Sequence, residues 1–258
     1  MEQIIFIQIL VNNKKKTKKN MFGNTHNLES HLGYTKNEWV NSQYYKKVLD
    51  FLIGKQITNF VDIGACSGGV SDIFFDNIKS LKKCIMVEPI KNNYDFIVNR
   101  FKDDDKRLTI NKAVYYNSPT INIGNVGSNV GGYSFLSNVN AIEFNTITLE
   151  EIITQTKDFI GEPIEFVKID IEGAEYNFIE HSELLKTIPY IEIEFHNNPE
   201  YNIDTTTNVR HDVWGPFMEK YLPDHKLIYG GKNEKVIWPN GQEVVYDGSG
   251  FFILKSYV

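Results

Sequence analysis

The chain predicts an α/β fold: a doubly wound, mostly parallel sheet closed at one edge by an antiparallel hairpin. Three observations predict it. Short apolar runs alternate with amphipathic stretches between residues 57 and 195, an order that places helices on both faces of a parallel sheet. A glycine-rich turn, Gly64-Ala65-Cys66-Ser67-Gly68-Gly69, follows the first apolar run. Two late apolar runs, 226–229 and 251–254, flank an Asn240-Gly241 hairpin signal.

The elements follow in order. Residues 35–54 read as one amphipathic helix. Trp39, Val40, Tyr44, Val48, Leu49 and Leu52 recur at helical spacing, Thr35 or Asn37 caps the start, and Gly54 closes it. Residues 57–63 form the first strand. Residues 69–81 form a helix with Ile73, Phe74 and Ile78 on one face. The second strand is 84–88, and Pro89 suits the first turn of a helix running to about residue 101. The third strand is 106–114. A glycine-, serine- and asparagine-rich stretch, 124–137, reads as a loop, and such loops often carry function. A short helix covers 149–157. The run 163–171 is interrupted only by Glu165, Lys168 and Asp170, so its strand is buried on both faces. A helix over 173–185, a strand over 189–195 and a helix over 209–221, broken near Gly215-Pro216, lead into the closing hairpin. With the hairpin the sheet counts seven strands. No internal repeat or second domain is visible. Residues 1–20 read as an arm and lysine-rich linker, and 21–258 as one domain with 21–56 as a helical cap.

The 258 residues suffice for one sizeable core. A net charge of −6 argues against a broad nucleic-acid-binding surface and is compatible with neutral, sugar-like substrates. The apolar stretch 1–11 is too short to span a bilayer. Lysines 14, 15, 16, 18 and 19 follow it, the reverse of a secretory signal, so a cytoplasmic location is expected. The alternative for this arm is a basic contact to RNA or anionic lipid. Cys66 and Cys84 stand at opposite ends of adjacent parallel strands, about 15 Å apart, too far for a disulfide.

The glycine turn indicates a ligand. Asp62 stands two residues before Gly64, and Glu88 ends the next strand about 20 residues beyond the turn. The spacing Gly64-x-x-x-Gly68-Gly69 is not that of a pyrophosphate-binding turn. An acid ahead of the first glycine suits an ammonium group, and an acid after the second strand suits ribose hydroxyls. A nucleoside with an amino-acid end, S-adenosylmethionine, has that shape. In an open α/β sheet, ligands lie beyond the carboxyl ends of the strands. The residues expected there are Asp62, Gly64, Glu88, Ala113, Asp170, Glu172, Glu194 and His196. Lys168 shares a strand face with Asp170, either as a structural ion pair or as a group tuning that acid. Glu172 and Glu175 flank a helix start and are expected to complement its dipole. His211 and Asp212 are minor candidates for substrate contacts. His26, His31, His181 and His225 have no comparable context.

These residues resemble the FkbM-type methyltransferase family. Asp-Ile-Gly-Ala (62–65) with Gly68, Val-Glu-Pro (87–89), Lys-Ala-Val (112–114), Gly-Ser (127–128), Lys-Ile-Asp-Ile-Glu-Gly-Ala-Glu (168–175) and Glu-Phe-His (194–196) occur in the family's order. The stretch 168–175 is the most specific. The resemblance implies a class I, Rossmann-like methyltransferase fold that uses S-adenosylmethionine to methylate hydroxyl oxygens of sugars or polyketides. Carried over, Asp62, Gly64, Ala65, Cys66, Ser67 and Gly68 would cradle the methionine end. Glu88 would hold the ribose, Ala113 would border the adenine, and Asp170 would sit near the methyl group. Cys66 departs from the family, which often has Asn there.

An alcohol needs a base, or a metal that lowers its pKa, to attack a methyl group at neutral pH. Asp170 and His196 are the candidate bases, with Glu194 expected to orient His196. The same three residues are alternative ligands for a divalent cation such as Mg²⁺. The expected activity is O-methylation of a sugar hydroxyl in a glycan or glycolipid pathway. The expected partner is a small-molecule or glycan acceptor, the chain acting as monomer or homodimer without nucleic acid or membrane span. Three readings compete: an RNA ribose 2′-O-methyltransferase, a nicotinamide dehydrogenase, and a non-catalytic module that kept the cofactor pocket. Residues 124–137 and 197–217 are expected to form the acceptor side.

Overall fold

A computed structural model describes residues 28–125, 133–134, 137–161, 163–196, 198, 201, 211–230, 234–237, 243–246 and 248–258. Helices α1 (Leu28–Asn41) and α2 (Gln43–Ile53) precede β1 (Asn59–Ile63), α3 (Gly69–Asn77), β2 (Lys83–Val87), α4 (Lys91–Arg100) and β3 (Arg107–Ile110). Next come β4 (Ala113–Val114), β5 (Thr120–Asn125), β6 (Tyr133–Ser134), β7 (Ile142–Ile147), α5 (Leu149–Gln155) and α6 (Lys157–Ile160). The chain continues through β8 (Phe166–Ile169), α7 (Glu175–His181), β9 (Tyr190–Glu194) and α8 (His211–Tyr221). The described elements end with β10 (His225–Gly230), β11 (Glu234–Ile237), β12 (Glu243–Tyr246) and β13 (Ser249–Leu254).

Seven strands form the main sheet in the order β10-β13-β9-β8-β1-β2-β3. The five from β9 to β3 are parallel, and β13 runs antiparallel to both neighbours. This is the predicted sheet. From β1 the chain winds outward to β3, then returns to place β8 on the other side of β1. The gap between β1 and β8 is therefore the switch point, where an open α/β sheet accepts a ligand.

The two faces of β1 explain its continuous apolarity. Val61 and Ile63 pack with Tyr176 and Phe178 of α7 and Trp214 of α8, whereas Phe60 packs with Trp39, Tyr44 and Phe74 of the N-terminal helices and α3. All five β1 residues are buried. Asp62 shares the Phe60 face and is therefore an acid in a core position.

Several element boundaries differ from expectation. The single helix 35–54 is two helices, because the Ser42 side chain accepts from the Tyr45 N–H and caps α2. Gly54 does cap the end of α2. The third strand stops at Ile110: Asn111 turns its amide onto the carbonyls of Glu88 and Pro89, at 2.9 and 2.8 Å. Ala113 and Val114 leave the main sheet to pair with Thr146 and Ile147. They join a four-stranded sheet, β4-β7-β5-β6, whose central strand β7 was not expected. The break expected at Gly215-Pro216 is absent, and α8 runs through Pro216. Pro216 is the sixth residue of α8, past the first turn, so the helix forgoes the hydrogen bond that an N–H there would make. The Asn240-Gly241 hairpin signal lies outside the described residues, although β11 and β12 on either side pair antiparallel. Residues 1–20, most of 124–137 and most of 197–210 also lie outside them. Cys66 and Cys84 are free thiols, as expected. Among the described residues, no helix is long and apolar enough to cross a membrane.

Candidate functional site

A cavity opens at the carboxyl ends of β1, β2 and β8 and is roofed by the small sheet. At one end Val87, Ile90, Val114, Ile121 and Ile123 make an apolar wall, with Glu88 and Ala113 among them. At the other end stand Gly64, Cys66, Asp170, Ile171, Glu172 and His31. Of the expected cofactor residues, Gly64, Cys66, Glu88 and Ala113 line the cavity, as does Asp170. Asp62, Ala65, Ser67 and Gly68 stand behind this lining. Glu194 and His196 lie beyond it at the β9 end.

The glycine turn is shaped by close approach. Gly64 has φ +82°, and a Cβ there would lie 1.7 Å from the Asp170 carbonyl oxygen. Only glycine lets the β1 and β8 ends meet this tightly. Cys66 takes φ +50° and Glu172 φ +56°, uncommon for residues with a Cβ. Both line the cavity.

Glu88 ties the turn to β2. Its carboxylate accepts from the Cys66 and Ile90 N–H groups, each at 2.8 Å, and from Asn93 Nδ2 at 3.4 Å. A carboxylate offers about four acceptor positions, so capacity for a ligand hydroxyl remains. Burial pushes Glu88 up to about 7, against the pull of these donors.

Asp62 is placed differently from expectation. It is fully buried, and among the described residues neither of its oxygens has a hydrogen-bond partner. Its nearest cation is Lys168, with Nζ 3.9 Å from Oδ1. Burial pushes Asp62 up to about 6 while Lys168 draws it down. Asp62 therefore lies behind the cavity lining, and Asp170 is the acid that faces the cavity near Gly64.

Lys168 links three strands. It lies opposite Asp62 and Glu192 in register, donates to Asp170 Oδ2 at 3.0 Å, and reaches the Gly64 carbonyl at 3.4 Å. Burial disfavours its charge, but Asp170, Asp62 and Glu192 outweigh that and hold it above the ordinary lysine range. It is a permanent cation, not a base. Burial alone would raise Asp170, yet Lys168, then His196 and His31, hold it below the usual carboxylate range. Asp170 is thus ionised and a poor proton acceptor.

His196 is oriented by Glu175, whereas Glu194 was expected in that role. Glu175 is fully buried and accepts from the Ile171 N–H at 3.0 Å, the Gly173 N–H at 3.1 Å and His196 Nδ1 at 2.9 Å. One carboxylate therefore fixes both the loop after β8 and the imidazole after β9. His196 Nε2 lies 3.5 Å from Glu172 Oε2. Glu194 accepts instead from the Tyr45 hydroxyl at 3.2 Å. Burial works against the imidazolium, but Glu175, with Glu172 and Glu194, raises His196 well above the ordinary imidazole value. Burial pushes Glu172 up to about 8, with His196 opposing.

Ligand atoms of Asp170, Glu172 and His196 lie within 4.8 Å of one another. Glu172 takes the place expected for Glu194 in a cation-holding trio. His211 and Asp212 belong to α8, and their side chains lie outside what the structure describes.

Sequence reasoning missed two residues. Glu175 looked like a helix-dipole complement, because its spacing from Glu172 is helical and its contacts to β9 are long-range. His31 came from a helix with no motif, yet its Nδ1 lies 3.1 Å from Ser67 Oγ and its ring lines the cavity.

Together these features define a doubly wound domain with a nucleoside-sized cleft at its switch point and an acid–histidine cluster at one end. The Methyltransferase FkbM domain matches residues 62–226, and the chain belongs to that family of methyltransferases. No curated protein matches it. Among solved structures, the FkbM methyltransferase of Methylobacillus flagellatus KT is similar at 14% identity and a TM-score of 0.48, over 76% of this chain and 44% of that one. This chain therefore spans less than half of that relative. The O-methyltransferase of Bacillus cereus in complex with SAH is similar at 15% identity and a TM-score of 0.47, over 97% of both chains. The Aeropyrum pernix fibrillarin with natively bound S-adenosyl-L-methionine is similar at 11% identity and 0.44, over 81% of this chain and 74% of that one.

Proposed function

We propose that this protein is an S-adenosylmethionine-dependent O-methyltransferase acting on a sugar hydroxyl of a glycan or glycolipid precursor. The observation that carries O-methylation is the Glu175–His196 pair, whose imidazole Nε2 lies 3.5 Å from Glu172 of the cavity lining. The sugar is what the family resemblance implies, in keeping with the net charge of −6.

The residues fit the cofactor. The apolar wall suits an adenine, and Glu88 with spare acceptor capacity suits ribose hydroxyls. The other end holds Asp170, Glu172, Glu175 and Glu194 against Lys168 and His196, a surplus of acid that suits a sulfonium and an ammonium group.

Bound S-adenosylmethionine would supply an activated methyl group, which leaves the protein to orient and deprotonate the acceptor. Glu175 accepts a hydrogen bond from His196 Nδ1–H and holds the ring proton there, so the neutral ring presents its Nε2 lone pair. Nε2 would accept the hydroxyl proton and so ready the acceptor oxygen for the methyl group that the cofactor would supply, with the cofactor's sulfur leaving as a neutral thioether. Asp170, ionised by Lys168, would favour the positive end of the cofactor and leave proton transfer to His196. Orienting the acceptor contributes several kcal/mol more.

A second reading rests on the grouping of Asp170, Glu172 and His196. These three would hold a divalent cation such as Mg²⁺, which would lower the acceptor's pKa in place of a base. Exhaustive chelation separates the two: full activity after chelation removes the cation.

The test of the cofactor is calorimetric titration of S-adenosylmethionine into wild type and Glu88→Ala. We expect micromolar binding to wild type, weakened about 10- to 100-fold in the variant. No binding to wild type would overturn the reading. Bound cofactor without turnover on any hydroxyl acceptor would leave a non-catalytic module. Methyl transfer to RNA would replace the sugar.

A further inference from the structure

We infer that His31, on the N-terminal helix, is the binding partner of the cofactor's carboxylate. The inference rests on the cofactor reading above and adds a residue that lies before the family-matched span.

A methionine end carries an ammonium and a carboxylate. The acids at this end of the cavity, Asp170 and Glu172, answer the ammonium and oppose the carboxylate. The turn's own N–H groups are largely spent. Gly64 and Ala65 donate to the Val87 carbonyl at 2.9 and 3.1 Å, Cys66 donates to Glu88 at 2.8 Å, and Gly68 donates to the Ala65 carbonyl at 2.8 Å. Lys168 is engaged with Asp170 and the Gly64 carbonyl and does not line the cavity. Among the described lining residues, the basic side chains are His31 and Lys112, and burial lowers the His31 pKa, so it would serve as a neutral N–H donor. Lys112 precedes Ala113 and belongs to the nucleoside end. His31 alone stands at the glycine turn.

Its position is built. A Cβ on Gly69 would lie 2.9 Å from Thr35 Cβ, so the glycine lets α1 settle directly on the start of α3. Leu32 is buried beside it, and Lys36 pairs with Asp72 of α3 at 2.8 Å. One turn before Thr35, His31 meets the turn, with Nδ1 3.1 Å from Ser67 Oγ and 3.6 Å from Cys66 Sγ. A Ser67 hydroxyl donating to Nδ1 leaves the ring proton on Nε2, which lies 3.7 Å from Cys66 Sγ, a weak acceptor that a carboxylate would displace.

The experiment compares S-adenosylmethionine with its decarboxylated form, by calorimetry, on wild type, His31→Ala and His31→Gln. We expect wild type to prefer the carboxylated ligand by about 10- to 100-fold, the range for a hydrogen bond to a charged group. His31→Ala should bind both ligands within about twofold of each other, and His31→Gln, whose amide can donate, should regain part of the preference. A wild-type preference that survives in His31→Ala overturns the inference, as does equal wild-type affinity for the two ligands. Wild type that binds neither ligand overturns the cofactor reading itself, a result distinct from the other two.

Discussion

At the β2 end of the cavity one carboxylate, Glu88, stands among Val87, Ile90, Val114, Ile121 and Ile123. At the β8–β9 end four carboxylates, Asp170, Glu172, Glu175 and Glu194, surround Lys168 and His196. The first end can recognise a flat apolar ring and its hydroxyls while doing no proton chemistry. The second is a field of coupled charges with an imidazole in it. Buried charges are costly, and a fold keeps them only when they are paired or used. Lys168 pairs with Asp170 at the end of its own strand and with Asp62 across to β1. The Glu175–His196 pair stands just beyond the lining, beside Glu172. On the proposed function, binding and chemistry divide between two ends of one cleft, and substitutions at the two ends should separate affinity from turnover.

The largest separation is expected in His196→Ala. Loss of a positioned base lowers turnover by about 10²- to 10⁴-fold. Cofactor affinity, measured by calorimetry, should stay within about twofold, because His196 does not line the cavity. Near wild-type turnover in this variant would remove the base and break the division of labour.

Glu175→Gln sharpens the same contrast. The carboxylate raises His196 well above its ordinary value, so the free enzyme carries the charged ring near neutral pH. The base must be neutral, so kcat/KM should climb as pH rises through that raised value. With Gln the raising charge is gone, so the acid limb moves to lower pH. The amide can also donate to Nδ1 and leave the ring proton on Nε2, which lowers the plateau by about 10- to 1,000-fold. A pH profile that keeps its midpoint in Glu175→Gln would show that Glu175 only packs the loop.

Much of this was legible in the residues. The first strand, the glycine turn, Glu88, Asp170 and His196 occupy the expected strand ends, because apolar runs and glycine turns are local signals, and Ala113 lines the cavity from the small sheet instead of the third strand. The roles of Glu175 and Asp62 were not legible. Each depends on a partner more than 20 residues away, brought near by strand order, and local spacing carries no record of it. Strand β7 was missed for another reason. Ile142, Phe144 and Thr146 alternate with Glu143, Asn145 and Ile147, but only Ile147 is fully buried, so the apolar signal is diluted. The split of α1 from α2 rests on one serine, Ser42, inside an otherwise continuous helical pattern.

The smallest expected effect concerns an acid behind the rim. Glu192 is fully buried opposite Lys168 and accepts from the Tyr44 hydroxyl at 3.2 Å. Burial raises its pKa well above the ordinary glutamate value, although Lys168 opposes the shift. An acid whose folded pKa is raised binds its proton more tightly in the folded state. Its favourable contribution is complete below the unfolded pKa, near 4.3, and declines as pH rises through the folded value. Gln at this position keeps the shape and never ionises. The stability of Glu192→Gln relative to wild type should therefore shift in the variant's favour as pH rises from 4 towards 8, by about 1 kcal/mol per pH unit at most. Denaturant melts at several pH values would measure it. Turnover should change little at the pH optimum, since Glu192 touches neither the cavity nor His196. A stability difference that does not vary with pH would mean that Glu192 is ionised at all these values and that Lys168, rather than burial, governs the row of charges beneath the cleft.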